Sequence, residues 1–154
     1  MKVNLKSGFT FLELIIVIGV ATLLSYIILS SLITFRKNQA LEKDTEIVVQ
    51  LLAQARNQTL SSKNATVYGV HFTAPIVTLF VGSSYVAGTP TNEDVNLSST
   101  DTILTINLTG GGSDVIFQRL SGETAQNGTV VVSSPGISRT KTVTIYKTGL
   151  AESQ

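Results

Sequence analysis

The 27 consecutive residues Phe9–Phe35 contain a single charged side chain, Glu13. At about 1.5 Å per residue, a helix of that length crosses a hydrocarbon layer of roughly 30 Å with residues to spare. Lys2 and Lys6 stand before the run, and Arg36 and Lys37 close it. The pattern predicts a membrane-spanning helix. A secretory signal peptide has a shorter apolar region followed by small residues at its cleavage site. This run is too long for that, and no Ala-x-Ala follows it. A plain signal anchor fits the length and the flanks but gives no reason for Glu13. A carboxylate inside a bilayer costs on the order of 3 kcal/mol or more, so a lone one calls for a named partner.

Beyond Phe35 the apolar residues thin into a stripe. Ala40, Ile47, Val48, Leu51, Leu52 and Ala55 recur at spacings of three, four and seven, while Glu42, Lys43, Asp44, Glu46, Gln50 and Gln54 take other positions. That is an amphipathic helix. Neither Pro nor Gly interrupts Val20–Leu60, so one helix from Phe9 to about Leu60 is expected, about 78 Å long at the helical rise.

After Ser61-Ser62-Lys63-Asn64 the period changes to two. Tyr68, Val70 and Phe72 alternate with Val67, Gly69 and His71, as on a strand with one buried face. Further strands are expected at Thr78–Val81, at Leu104/Ile106/Leu108, over Val115–Leu120, at Val130–Val132 and over Thr142–Tyr146. Gly88–Thr100 reads as a loop and Gly110–Gly112 as a turn. The fold class is therefore α+β: a long N-terminal helix packed on a small antiparallel sheet, or two small sheets. The chain divides into a short polar leader (1–8), an apolar membrane helix (9–35), its amphipathic continuation (36–62) and a β-rich head (63–154).

Charge and chemistry narrow the function. From Asn38 onward seven basic residues face nine acidic ones, a net of −2, which gives no general electrostatic reason to bind nucleic acid. The chain has no cysteine, which excludes thiolate catalysis, disulfides and cysteine metal sites.

The run Lys6-Ser7-Gly8-Phe9-Thr10-Phe11-Leu12-Glu13-Leu14 resembles the leader site of type IV prepilins and type II secretion pseudopilins. The resemblance implies cleavage after Gly8 by a prepilin peptidase, N-methylation of Phe9, and an assembly role for Glu13. It also supplies the carboxylate's partner, the new amine of Phe9 on a neighbouring subunit. Each charge is costly alone in a low-dielectric helix bundle and tolerable when paired. Where many family members carry a proline in the apolar helix, this chain has Leu29-Ser30-Ser31-Leu32. The helix end Gln54-Ala55-Arg56-Asn57-Gln58-Thr59-Leu60 and the close Thr142–Gly149 are similar to GspH/FimT-like minor pseudopilins. DNA-uptake members of that group have an arginine-rich tail; here it is Leu150-Ala151-Glu152-Ser153-Gln154.

The resemblance thus implies a non-catalytic filament subunit of the inner membrane, its N-terminus cytoplasmic and its head extracytoplasmic. Its partners would be other pilin or pseudopilin subunits and the peptidase. Two alternatives stay open: a DNA-binding minor pilin, and a membrane-tethered binding module that never polymerises. For the first, Arg139, Lys141 and Lys147, with Tyr146, are the nucleic-acid candidates, although basic residues among many acids more often keep strands soluble. No catalytic residue, metal or cofactor is expected. His71 is expected to face solvent from its strand, with no nucleophile or carboxylate motif beside it. Glu42, Asp44 and Glu46 are expected to be a solvated surface, since alternate helix positions do not share a face.

Overall fold

The computed structural model describes residues 8–154, so Lys2 and Lys6 lie outside the described residues. One helix, α1 (Phe11–Leu60), carries the first third of the chain. The chain divides into two compact units, one ending at Arg36 and one spanning Lys37–Gln154.

In the first unit the apolar side chains of α1 are exposed throughout, from Phe11 at 79% to Phe35 at 56%. By length and composition this is a candidate membrane span. Three of its hydroxyls bond back to the helix: Thr22 donates to the Ile18 carbonyl, Ser25 to Ala21 at 2.8 Å and Thr34 to Ser30 at 3.2 Å. A helix in hydrocarbon has no water to satisfy such groups, and i−4 back-bonding supplies these three with a partner.

In the second unit, α1 buries Leu41, Asp44, Thr45, Val48, Leu51, Leu52, Ala55 and Thr59. Val48, Leu52 and Ala55 have no exposed surface at all. The stripe runs as the spacing requires, except that Leu41 replaces Ala40 as its first buried residue. Polar residues also complete it, and Thr59 shows how. Its hydroxyl donates to the Ala55 carbonyl at 2.9 Å and accepts the Tyr68 N–H at 2.9 Å, joining the helix end to the first strand.

The head consists of two four-stranded antiparallel sheets. The first is built from β1 (Tyr68–Thr73), β2 (Ile76–Val81), β3 (Glu93–Asn96) and β5 (Asp114–Ile116), in the order β3-β2-β1-β5. The second is built from β4 (Thr102–Leu108), β6 (Gly128–Ser134), β7 (Arg139–Ile145) and β8 (Ala151–Ser153), in the order β4-β6-β7-β8. Tyr68, Val70, Phe72, Val77, Leu79 and Val115 from the first sheet share one core with Val130, Val132, Val143 and Ile145 from the second and with the helix stripe. The expected α+β layout, with two sheets, is therefore the observed one.

Three local expectations are corrected. The segment read as a loop, Gly88–Thr100, contains β3, an edge strand paired to β2 from Ile76↔Asn96 to Leu79↔Glu93. Of its residues, Glu93, Asp94 and Asn96 have low β propensity; pairing with β2, the Thr78–Asp94 bond at 2.6 Å and the packing of Val95 against the core recruit them. The alternation at Leu104, Ile106 and Leu108 is broken by a register shift between Ile103 and Thr105. A bulge of this kind moves side chains to the other face, so Ile103 is buried at 7% while Leu104 is 61% exposed. The third correction is β8, which pairs Val143↔Ser153 through Ile145↔Ala151.

Gly69 shows how tightly the first sheet is packed. It lies opposite Phe80, and a Cβ there would stand 2.5 Å from the Phe80 ring and 2.8 Å from the Val115 carbonyl oxygen. The ring occupies the space a side chain would need.

A fragment spanning residues 37–154 is expected to be soluble and monomeric, with a β-rich circular dichroism spectrum and a cooperative denaturant transition. In it, Leu52→Ala is expected to cost about 2–5 kcal/mol, whereas the exposed Glu46→Ala changes stability by less than about 0.5 kcal/mol. A helix-dominated spectrum, or equal effects of the two substitutions, would contradict this packing.

Candidate functional site

The first candidate site is the start of α1. Gly8, Phe9 and Thr10 precede the helix and are exposed, Phe9 at 83%. The Glu13 N–H donates to Thr10 Oγ1 at 3.2 Å, and the Thr10 N–H donates to Glu13 Oε2 at 3.5 Å. This reciprocal exchange is a capping box, in which a threonine and the glutamate three residues on satisfy two orphan helix donors. The first helical bond, Leu14 N–H to the Thr10 carbonyl at 3.2 Å, follows directly. A carboxylate at this position also complements the positive end of the helix dipole. Glu13 therefore has a local partner in its own chain. The Thr-x-x-Glu spacing from Thr10 to Glu13 is the signal for it in the sequence.

The nucleic-acid candidates do not form one free patch. Arg139 and Lys141, alternate residues of β7, share a face. The Arg139 guanidinium donates to Asn38 Oδ1 at 3.0 Å, and Lys141 Nζ lies 3.1 Å from Glu42 Oε1. Both cations tie β7 to the helix. Lys147 lies past the end of β7, where its carbonyl accepts the Thr124 N–H at 3.0 Å. The neighbouring Tyr146 hydroxyl bonds Glu152, which raises its pKa above the ordinary 10.0.

His71 does not face solvent freely. Its imidazole stacks on Tyr85 with ring centroids 3.8 Å apart and planes 4° from parallel. Its Nδ1 lies 2.5 Å from Asp114 Oδ1, on the residue paired with it across β1 and β5. Asp114 lies 43 positions along the chain from His71, so no local motif could announce the contact. The group joins the outer face of the first sheet to the loop after β2, and its geometry supplies no nucleophile.

Arg56, near the end of α1, and Gly149, in the turn after β7, meet at Gly122. Arg56 Nε donates to the Gly122 carbonyl at 3.2 Å. Gly149 has φ +75°, and a Cβ there would stand 1.9 Å from the same oxygen. Both the backbone conformation and the space require glycine. Their role is to lock the helix end to the turn after β7.

Among the described residues, no group of three or more His, Cys, Asp or Glu side chains is placed to hold a metal ion. Comparison with protein families, with curated proteins and with solved structures finds no match for this chain.

With Arg139 and Lys141 engaged by the helix, duplex DNA is expected to bind no tighter than about 10⁻⁶ M at physiological salt, in the non-specific range. Fluorescence anisotropy with Arg139→Ala, Lys141→Ala and Lys147→Ala combined should show little change. Sub-micromolar binding that this triple variant abolishes would place a DNA site on the head.

Proposed function

We propose that this protein is a non-catalytic subunit of a type IV pilin-like filament, in the class of minor pilins or pseudopilins. The observation that carries the reading is a fully exposed apolar helix with one carboxylate near its start, running on into a helix whose stripe is the core of a small head. In this reading the precursor sits in the inner membrane with its head extracytoplasmic. A prepilin peptidase cleaves between Gly8 and Phe9, and the apolar helix then packs among those of other subunits.

Glu13 would do the assembly chemistry. Cleavage leaves an ammonium on Phe9, which precedes the helix and stands four residues before Glu13. A small axial stagger brings a neighbour's amine to that carboxylate. In the single chain Oε2 takes one long bond from a neutral amide, 3.5 Å from Thr10. An ammonium adds a full opposite charge that a backbone amide lacks, and in a low-dielectric helix bundle that difference favours exchanging the capping partner for the neighbour's amine. The pair would also fix the register between subunits.

The capping box itself favours a second reading, a membrane-tethered module that never polymerises, in which Glu13 only starts the helix.

Two experiments separate them. Co-expression with a prepilin peptidase is expected to remove eight residues, and Gly8→Val should block this by crowding the junction; intact-mass analysis reads the outcome. Glu13→Ala is expected to leave insertion and cleavage intact while filament incorporation falls by at least about a hundredfold, because an unpaired buried charge costs about 3–5 kcal/mol. Thr10→Ala, which removes only the capping hydroxyl, should incorporate far better. Normal incorporation of Glu13→Ala in a pull-down would overturn the assembly role of Glu13, whereas a wild-type chain that never enters the filament would leave the tethered module.

A further inference from the structure

Asp44, on the buried stripe of α1, is 2% exposed, and Asp101, in the turn before β4, is 4% exposed. Among the described residues neither has a cationic partner within ion-pair distance. The charged groups around them are committed elsewhere or face water. Lys141 pairs with Glu42, Arg139 binds Asn38, and Lys37 Nζ lies beside Gly136. Lys43 and Glu46 are exposed, as are Glu93 and Asp94 on β3; β4 and β6 carry no charge.

Three of the four carboxyl oxygens have donors. Asp44 Oδ2 accepts the Ser98 N–H at 2.6 Å, Asp44 Oδ1 accepts the Ser98 hydroxyl at 3.1 Å, and Asp101 Oδ1 accepts the Thr100 hydroxyl at 3.0 Å. The fourth, Asp101 Oδ2, is buried with no partner. Both residues hold the same short turn: Ser98 bonds Asp44 through its N–H and its hydroxyl, and the Ser98 carbonyl accepts the Asp101 N–H at 2.9 Å. Two bare carboxylates so placed would repel strongly away from water, and an unsatisfied buried oxygen adds its own penalty. A single proton removes both costs, since it makes one group the donor the other lacks.

We propose that Asp44 and Asp101 share one proton, forming a pH-sensitive clasp that holds the turn 97–101 against α1. The proton belongs to the pair rather than to either residue. Burial, opposed by the Ser98 bonds and reinforced by the charge of Asp101, raises the Asp44 carboxyl above its ordinary 3.8. The folded pair therefore binds its proton more tightly than the unfolded chain does. The clasp's contribution is fully present below 3.8 and is lost as the pH rises through the raised folded value. Acid tightens this part of the head, which is the reverse of the usual response of a paired carboxylate. The clasp does not depend on whether the protein polymerises.

The test uses the full chain in detergent micelles, with head unfolding followed by denaturant titration across the acidic-to-neutral range. The wild-type unfolding constant is expected to rise relative to that of Asp101→Asn, by up to about tenfold per pH unit. The asparagine amide supplies the missing donor without titrating. Infrared spectra should show a protonated-carboxyl band persisting above about pH 5, beyond the ordinary carboxylate range, and Asp44→Asn should remove it. Parallel pH profiles, or a wild-type band that vanishes within the ordinary range, would overturn the proposal. The wild-type band decides the matter even if both variants fail to fold. Calcium chloride that stabilises the wild type and abolishes the band would overturn it too, in favour of a bound cation.

Discussion

Burial of one helical stripe holds the head together. Val48, Leu52 and Ala55 are wholly inaccessible, and the inner faces of both sheets meet in the core they belong to. The strands are three to seven residues long, and small sheets of that kind need a hydrophobic partner to be stable in water. With no cysteine to staple them, the helix is that partner. The polar ties act on the same seam: Thr59 to Tyr68, Arg56 to Gly122, Asp44 to Ser98, Lys141 to Glu42. Each joins α1 to a different part of the head, so loosening the stripe would undo all of them together.

Periodicity made the framework legible. A repeat near 3.6 marked the buried face of α1 from Val48 to Ala55, and a repeat of two marked Tyr68, Val70 and Phe72. What escaped was whatever tertiary pairing imposes against local preference. Glu93–Asn96 is a strand because β2 offers a free edge, and nothing in its composition says so. Leu104 and Ile103 exchange faces at a bulge that alternation cannot reveal. Asp44 reads as a surface charge on a helical wheel that includes Glu42 and Glu46, yet its bonds to Ser98 lie 54 positions away. His71 likewise meets Asp114 only through the β1–β5 pairing.

At the amino end the position is reversed, because the informative residues there are consecutive. Gly8, Phe9, Thr10 and Glu13 fall within six positions. The structure adds that Thr10 and Glu13 already satisfy each other. A capping box explains why the helix starts where it does, but not why the chain spends a carboxylate in an apolar run. Asparagine, serine or aspartate at the cap would serve without a glutamate at the third position. A carboxylate held by a single long bond is available to a stronger partner, whereas one locked in a buried ion pair is not. In the proposed filament, the local and the assembly roles of Glu13 would thus be successive rather than exclusive.

The distribution of cations supports the same division of labour. Arg36 and Lys37 mark the end of the apolar run, as basic residues do where a helix leaves the hydrocarbon. Further along, Arg56, Arg139 and Lys141 turn inward to carbonyl, amide and carboxylate partners of the head itself. Arg119 binds the Ala65 carbonyl at 3.2 Å. These side chains spend their donors on holding strands to helix, which leaves little positive surface with which to collect an anionic polymer. The outer positions of the second sheet, Thr105, Thr129, Thr142 and Thr144, form a largely neutral surface, since the inward residues Val130, Val143 and Ile145 alternate with them. In the proposed filament, association would be driven by the apolar helix, and a head with such a surface would leave specificity to the amino end.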